Sequence, residues 1–297
     1  MKSFVVTFMV FYFCAAAQEH ETPAADNGIF GIKKNTLVTY SLLGYTAASL
    51  YTEYQWWWKG NYHPFRYEND GFLHNYSVGV DKIGHFYTSY LYFNAVFEVM
   101  QWGNFDDRTM LLTSIAMPLS HALSIEIGDG FSTYAFSGVD LAANILGIGY
   151  GVLQQQVPFF RNFSVKWSYY PSGIIPLDRA FRLTDDYDGH IYWLSWNIYG
   201  TLPERLQQYW IPFLNIAVGY GGKNISGRPA WVGTPISSPG LPERKFAVSL
   251  DYNLRAVDLG NGIAVTIRNI ADLFHFPAPG VTIDGKNRMT VRPLLLN

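Results

Sequence analysis

Between residues 80 and 157 the chain runs through three apolar stretches, 80–101, 109–127 and 136–157, in which the few polar residues recur at helical spacing. The middle stretch, TMLLTSIAMPLSHALSIEI, holds no Lys or Arg. Helices this apolar must bury most of their circumference, in a protein core or in lipid. A fourth stretch, TLVTYSLLGYTAASLY, covers residues 36–51. Each is close to the ~20 residues that cross a bilayer, yet each carries polar groups inward of its ends. A bundle of about four hydrophobic helices on or in a membrane is expected. Pro118 should kink the third helix. Gly147 and Gly151, in G-x-x-x-G spacing, should let the fourth helix approach a neighbour closely. The adjacent indoles of Trp56, Trp57 and Trp58 cannot all face one core, so they line an interface or cap a bundle end.

Beyond the helices the period changes to two. HIYWLSWNIYG, LNIAVGYGG and KFAVSLDYNLRA read as strands of a small antiparallel sheet. The expected class is α+β: a helical bundle over residues 36–157, a linker over 158–186 and a β-rich region over 187–297. An outer-membrane barrel would need about eight strands, more than the pattern supplies.

The N-terminus reads as a targeting segment. Lys2 gives the positive start, Phe4 to Phe13 the short apolar run and Ala15-Ala16-Ala17 a cleavage signal, so residues 1–17 are expected to be a signal peptide and 18–35 a polar lead-in. Cys14 is the only cysteine, and Phe13 before it disfavours lipid attachment. Cleavage would leave no thiol for disulfide or zinc chemistry. Only 15% of residues are charged, against 49% hydrophobic and 17% aromatic, and the net charge is −2. That balance excludes disorder and a nucleic-acid groove.

The candidate chemistry lies on the apolar helices. Asp81 and His85, four apart, share a helix face with Lys82 beside them. Asp140 and Asn144 repeat the spacing, and Gly147 and Gly151 continue their stripe. His121, Glu126 and Asp129 lie between, but His121 and Glu126 stand about 140° apart around a regular helix and cannot both enter one narrow site. Convergence of Asp81, Glu126, Asp129 and Asp140 with His85 would suit a divalent metal, ligated by His85, Glu126, Asp129 and Asp140, or general acid–base work. The same residues suit a structural role: Asp81 as a cap, His85 as a hydrogen-bonded core histidine, Asp140 as a dipole partner and Asn144 as interhelical glue. No H-E-x-x-H, G-x-S-x-G or G-x-G-x-x-G motif is present.

Several runs resemble the YfiM-like family of predicted periplasmic lipoproteins, a domain of unknown function. They are Val80-Asp81-Lys82-Ile83-Gly84-His85-Phe86-Tyr87-Thr88-Ser89-Tyr90, Glu126 with Asp129-Gly130-Phe131-Ser132, Asp140-Leu141-Ala142-Ala143-Asn144, and Tyr187-Asp188-Gly189-His190-Ile191-Tyr192-Trp193-Leu194-Ser195. The layout is similar, more distantly, to VanZ-like membrane proteins. The resemblance covers about residues 36–196. It implies an exported bacterial protein of the periplasm or cell-envelope membrane, and it brings no established reaction. Membrane lipid or an envelope protein is the expected partner, with no nucleic acid.

Overall fold

The computed structural model describes residue 28 and residues 31–73, 75–174, 183–225 and 241–295. The expected signal peptide and Cys14 lie outside the described residues, as does most of the polar lead-in.

Four long helices fall where the apolar stretches run: α1 (Lys34–Glu53), α2 (Val80–Trp102), α3 (Asp107–Gly130) and α4 (Gly138–Gln156). Their starts follow local chemistry. Asp106 caps α3 by accepting from the Thr109 amide, and Ser137 caps α4 by accepting from the Asp140 amide. Helix α2 has no side-chain cap and begins after Gly79, which takes a φ of 90° that glycine adopts without strain. Helix α3 runs on through Pro118. Among the described residues it is the one helix long and apolar enough to cross a membrane.

The packing among these four helices is uneven. Helices α2, α3 and α4 pack on one another, while α1 touches α2 and α3 more sparingly, mainly where Val38 meets Tyr92, Val96 and Met100. The physical reason is the even apolarity of α2, which lets it bury opposite sides at once. One side meets the helices. The other, through Val80, Tyr87 and Tyr90, shares a core with Tyr192 and Leu273 of the β-rich part. The G-x-x-x-G glycines act at the α2–α4 contact. A Cβ on Gly147 would collide with the Phe86 carbonyl, and one on Gly151 with the Phe93 ring.

After α1 a π-helical turn, Tyr54–Trp58, carries the three indoles. Trp58 docks on the end of α3, while Trp56 stays 47% exposed. Two short strands, β1 (Tyr67–Glu68) and β2 (Phe136–Ser137), pair in parallel. Six further strands form an antiparallel sheet in chain order: β3 (Phe163–Tyr169), β4 (His190–Trp196), β5 (Leu214–Lys223), β6 (Glu243–Tyr252), β7 (Ala278–Ile283) and β8 (Met289–Leu295). Strand β3 lies within the segment read from sequence as a linker, where Val165, Trp167 and Tyr169 alternate with Lys166 and Ser168. Three short helices complete the described part: α5 (Ile198–Thr201), α6 (Glu204–Gln207) and α7 (Ile263–Ala271).

Candidate functional site

The polar residues of α2 and α4 meet around one lysine. Lys82, in the first turn of α2, is 1% exposed. Its Nζ lies 2.7 Å from Asp70 Oδ2, 3.0 Å from Asp81 Oδ2 and 2.6 Å from Asp140 Oδ1. The three carboxylates come from three segments. Asp81 shares α2, Asp140 stands in the first turn of α4, and Asp70 lies just after β1. The β1–β2 pairing sets Tyr67 against Phe136 and Glu68 against Ser137, which delivers the Asp70 loop to the start of α4. The chain then enters α2 through a turn knotted by Asn75, whose Oδ1 accepts from the Ser77 amide, the Ser77 hydroxyl and the Gly79 amide. The Ser77 hydroxyl in turn accepts from the Asp81 amide. Asp81 is therefore not a cap. It is a first-turn acid facing Lys82 and Tyr187, whose hydroxyl donates to Asp81 Oδ1 at 2.8 Å.

One turn along α2, His85 is the most exposed member, with a quarter of its side chain open to solvent. Its Nε2 is 3.8 Å from both Asp81 Oδ1 and Asp140 Oδ1. Across the α2–α4 contact, Nδ1 lies 3.2 Å from Asn144 Nδ2, and Ser89 donates to Asn144 Oδ1 at 2.7 Å. A neutral His85 thus accepts at Nδ1 and carries its proton on Nε2, aimed at the carboxylates. Protonation of Nδ1 requires the Asn144 amide to turn over, and the Ser89 hydroxyl can follow by accepting instead.

The electrostatics follow from burial and crowding. Burial opposes the charge of Lys82, yet Asp81 and Asp140 outweigh it and raise its pKa. At His85 the same balance holds: burial lowers, but Asp140, Asp81 and Glu126 together raise it. At Asp81, Lys82 and His85 overcome burial and lower the pKa. At Asp140 burial prevails and the pKa rises. Glu126, near the end of α3, is 1% exposed. Its Oε2 accepts from the Ser137 amide, and among the described residues its Oε1 has no hydrogen-bond partner. Burial pushes Glu126 up to about 7. Burial also pushes Asp129 up to about 8, against the hydrogen bond that Trp58 Nε1 donates at 2.8 Å.

Of the residues picked out in the sequence, Asp81, Lys82, His85, Asp140 and Asn144 form one connected network, with Glu126 joined through Ser137. Asp129 is held by Trp58. His121 is not part of the network: its Nε2 is 2.7 Å from Glu53 Oε1 of α1, and its ring meets Tyr92 edge-on. Asp70 and Ser137 were not anticipated. No local spacing signals Asp70, because it reaches Lys82 through the β1–β2 pairing. Tyr187 lies in a motif already singled out, but its contact with Asp81 spans over a hundred residues of chain.

One atom each from Asp81, His85 and Asp140 lie within 4.8 Å of one another, a spacing a small cation can span. Glu126 and Asp129, also proposed as ligands from sequence, are not in that group. The Lys82 ammonium already lies against two of its three members. Chemically the cluster offers a cation clamp and a histidine whose proton faces carboxylates.

Residues 70–156 match the model of a family described as predicted periplasmic lipoprotein (DUF2279). The match starts at Asp70 and ends with α4, so it contains every charged member of the Lys82 network and less than a third of the chain. No curated protein and no solved structure matches the chain. Export to the periplasm or the cell-envelope membrane, expected from the sequence, agrees with the family's description.

Proposed function

We propose that the chain is a non-catalytic envelope protein in which the Lys82 network locks loop, helix and helix into one arrangement. The carrying observation is that Lys82 Nζ, buried, lies within 3.0 Å of carboxylates from three separate segments. A buried charge paired on several sides contributes little net stability over an apolar core of equal shape, but it penalises every arrangement that leaves a charge unpaired. It therefore serves to fix one structure for a surface used elsewhere, toward membrane lipid or another envelope protein.

A second reading, metal or ligand binding at Asp81, His85 and Asp140, draws on the clustering of their donor atoms and the solvent access of His85. Native mass spectrometry of the chain extracted in mild detergent separates the two. The structural reading expects no stoichiometric metal in the parent protein or in His85→Ala. A bound divalent metal lost on His85→Ala would overturn it.

A further inference from the structure

The six-stranded sheet buries a mixed face, on which an apolar cluster of Ile191, Trp193, Ala217, Ala247 and Leu295 sits beside an ion network. On its buried face Lys166 pairs with Asp251 at 2.8 Å and Asp272 at 3.2 Å, and Ser195 donates to Asp251. On the opposite face Val165, Leu194, Val218, Val248, Val281 and Val291 stand opposite one another across all six strands. The neighbouring row continues through Phe246, Ile283 and Met289. Helix α2 lies over one end of this face: Tyr87 meets Trp167 and Tyr192, and Ile83 and Phe86 line an apolar cleft with Val165, Leu194 and Val218. Beside and beyond that cleft Leu194, Val218, Val248 and Val291 are still 44–72% exposed. A sheet in water normally directs its apolar side to the core and its polar side outward. Apolar surface this continuous marks an interaction site.

The margins of the face say what it meets. Beyond Ile283 and Met289, around the β7–β8 turn and the adjoining ends of β5 and β6, Lys223, Arg244, Lys286 and Arg288 outnumber Glu243 and Asp284. A cationic surplus beside an apolar field complements anionic headgroups above acyl chains. The opposite margin carries the exposed aromatics Trp196, Tyr209 and Phe213, whose amphipathic rings favour a membrane–water boundary. No charged side chain interrupts the two apolar rows. We infer that this outer face of the sheet docks onto the acyl layer of a lipid membrane containing anionic lipid. Among the described residues β3 and β8 do not pair with each other, and the free edge of β3 is met only at Trp167, which exchanges backbone hydrogen bonds with Leu273 and His275; such an open sheet leaves edge groups that hydrocarbon cannot satisfy. It therefore rests on one leaflet and does not cross. The inference goes beyond the role of the Lys82 network and does not depend on it.

The test uses the full chain with vesicles of phosphatidylethanolamine and phosphatidylglycerol, part of the lipid being brominated on its acyl chains. Bromine quenches an indole only on close approach. The fluorescence lost on Trp196→Phe should be quenched component by component when vesicles are added. Val218→Asn with Val248→Asn should weaken vesicle binding by roughly tenfold per residue, from the apolar area each withdraws. Both side chains point outward, so the double variant should still fold, its melt lowered by no more than the modest cost of asparagine in a strand. An unquenched Trp196 component would overturn the inference, and it needs no variant of the apolar rows. So would parent-like vesicle binding by the folded double variant, or a dimer in detergent-free buffer that this variant splits while vesicles bind nothing.

Discussion

Replacing Lys82 by methionine tests the clamp most directly. The substitution keeps length and apolar stem but removes the charge that Asp70, Asp81 and Asp140 surround. Three buried or half-buried carboxylates are then left without their shared cation. Breaking a buried ion pair by removing one partner costs about 3–5 kcal/mol, because the remaining charge stays desolvated. At roughly 2–4 °C per kcal/mol for a chain somewhat shorter than this one, Tm should fall by about 6–20 °C at neutral pH. Circular dichroism melts of parent and Lys82→Met read this directly. The loss should narrow on acidification, since carboxylates freed of Lys82 take up protons that neutralise them. In the parent protein the opposite trend holds for Asp81. Its pKa lies below the ordinary 3.8, so its contribution is present above that value and is lost as pH falls through the folded value. Adding Asp140→Asn to Lys82→Met should recover part of the loss, whereas the two changes would add if the groups were independent. A Tm for Lys82→Met within about 2 °C of the parent, a sub-kcal/mol change on the same scale, would refute the clamp.

Other substitutions probe the supporting structure. Gly147→Ala should destabilise by about 1–3 kcal/mol in urea titrations, because its Cβ meets the backbone carbonyl of Phe86 and not a flexible side chain. Gly149→Ala on the same helix, where a Cβ meets open space, should be neutral or stabilising by up to about 1 kcal/mol; equal losses at both would mean no close α2–α4 contact. Glu126, raised from 4.5 to about 7, binds its proton more tightly in the fold. Its contribution is complete below pH 4.5 and is lost as pH rises to about 7, so Glu126→Gln should gain on the parent across that window. Melts at stepped pH that show a constant difference would contradict this. Trp58→Phe removes the hydrogen bond to Asp129 and should cost about 1 kcal/mol, and a parent-like unfolding curve would count against it.

What the sequence discloses of the site depends on whether a contact is local. Asp81 with His85 and Asp140 with Asn144 are four apart on helices, and helical periodicity alone puts each pair on one face. That α4 approaches a neighbour closely also follows from sequence, through the small residues Gly147 and Gly151 that continue the Asp140 stripe; that the neighbour is α2 is seen only in the fold. Asp70 and Tyr187 obey no such rule. One arrives through a two-residue strand pairing and the other from beyond β3. His121 goes the other way because Glu126, five residues on, already occupies the face of α3 that meets α4. The buried side of α1 then supplies Glu53 as its partner.

The sheet marks a different limit. Alternation at period two says that a strand has two unlike faces, but not which of them turns inward. In β4 the residues Leu194 and Trp196 could as well have formed the core, with Ser195 outside. What decides is non-local. Lys166 on β3, Asp251 on β6 and Asp272 after α7 satisfy one another inside, beside an apolar cluster of Ile191, Ala217, Ala247 and Leu295 that the same face buries. Trp193 on that same face hydrogen-bonds Ser168 and stacks on His275 at 4.0 Å. Once these polar groups are committed to the inside, pleating leaves Leu194, Val218 and Val248 no alternative to the outside. The exposure of the apolar rows thus follows from what the inner face commits to the core, its apolar cluster and its ion network together.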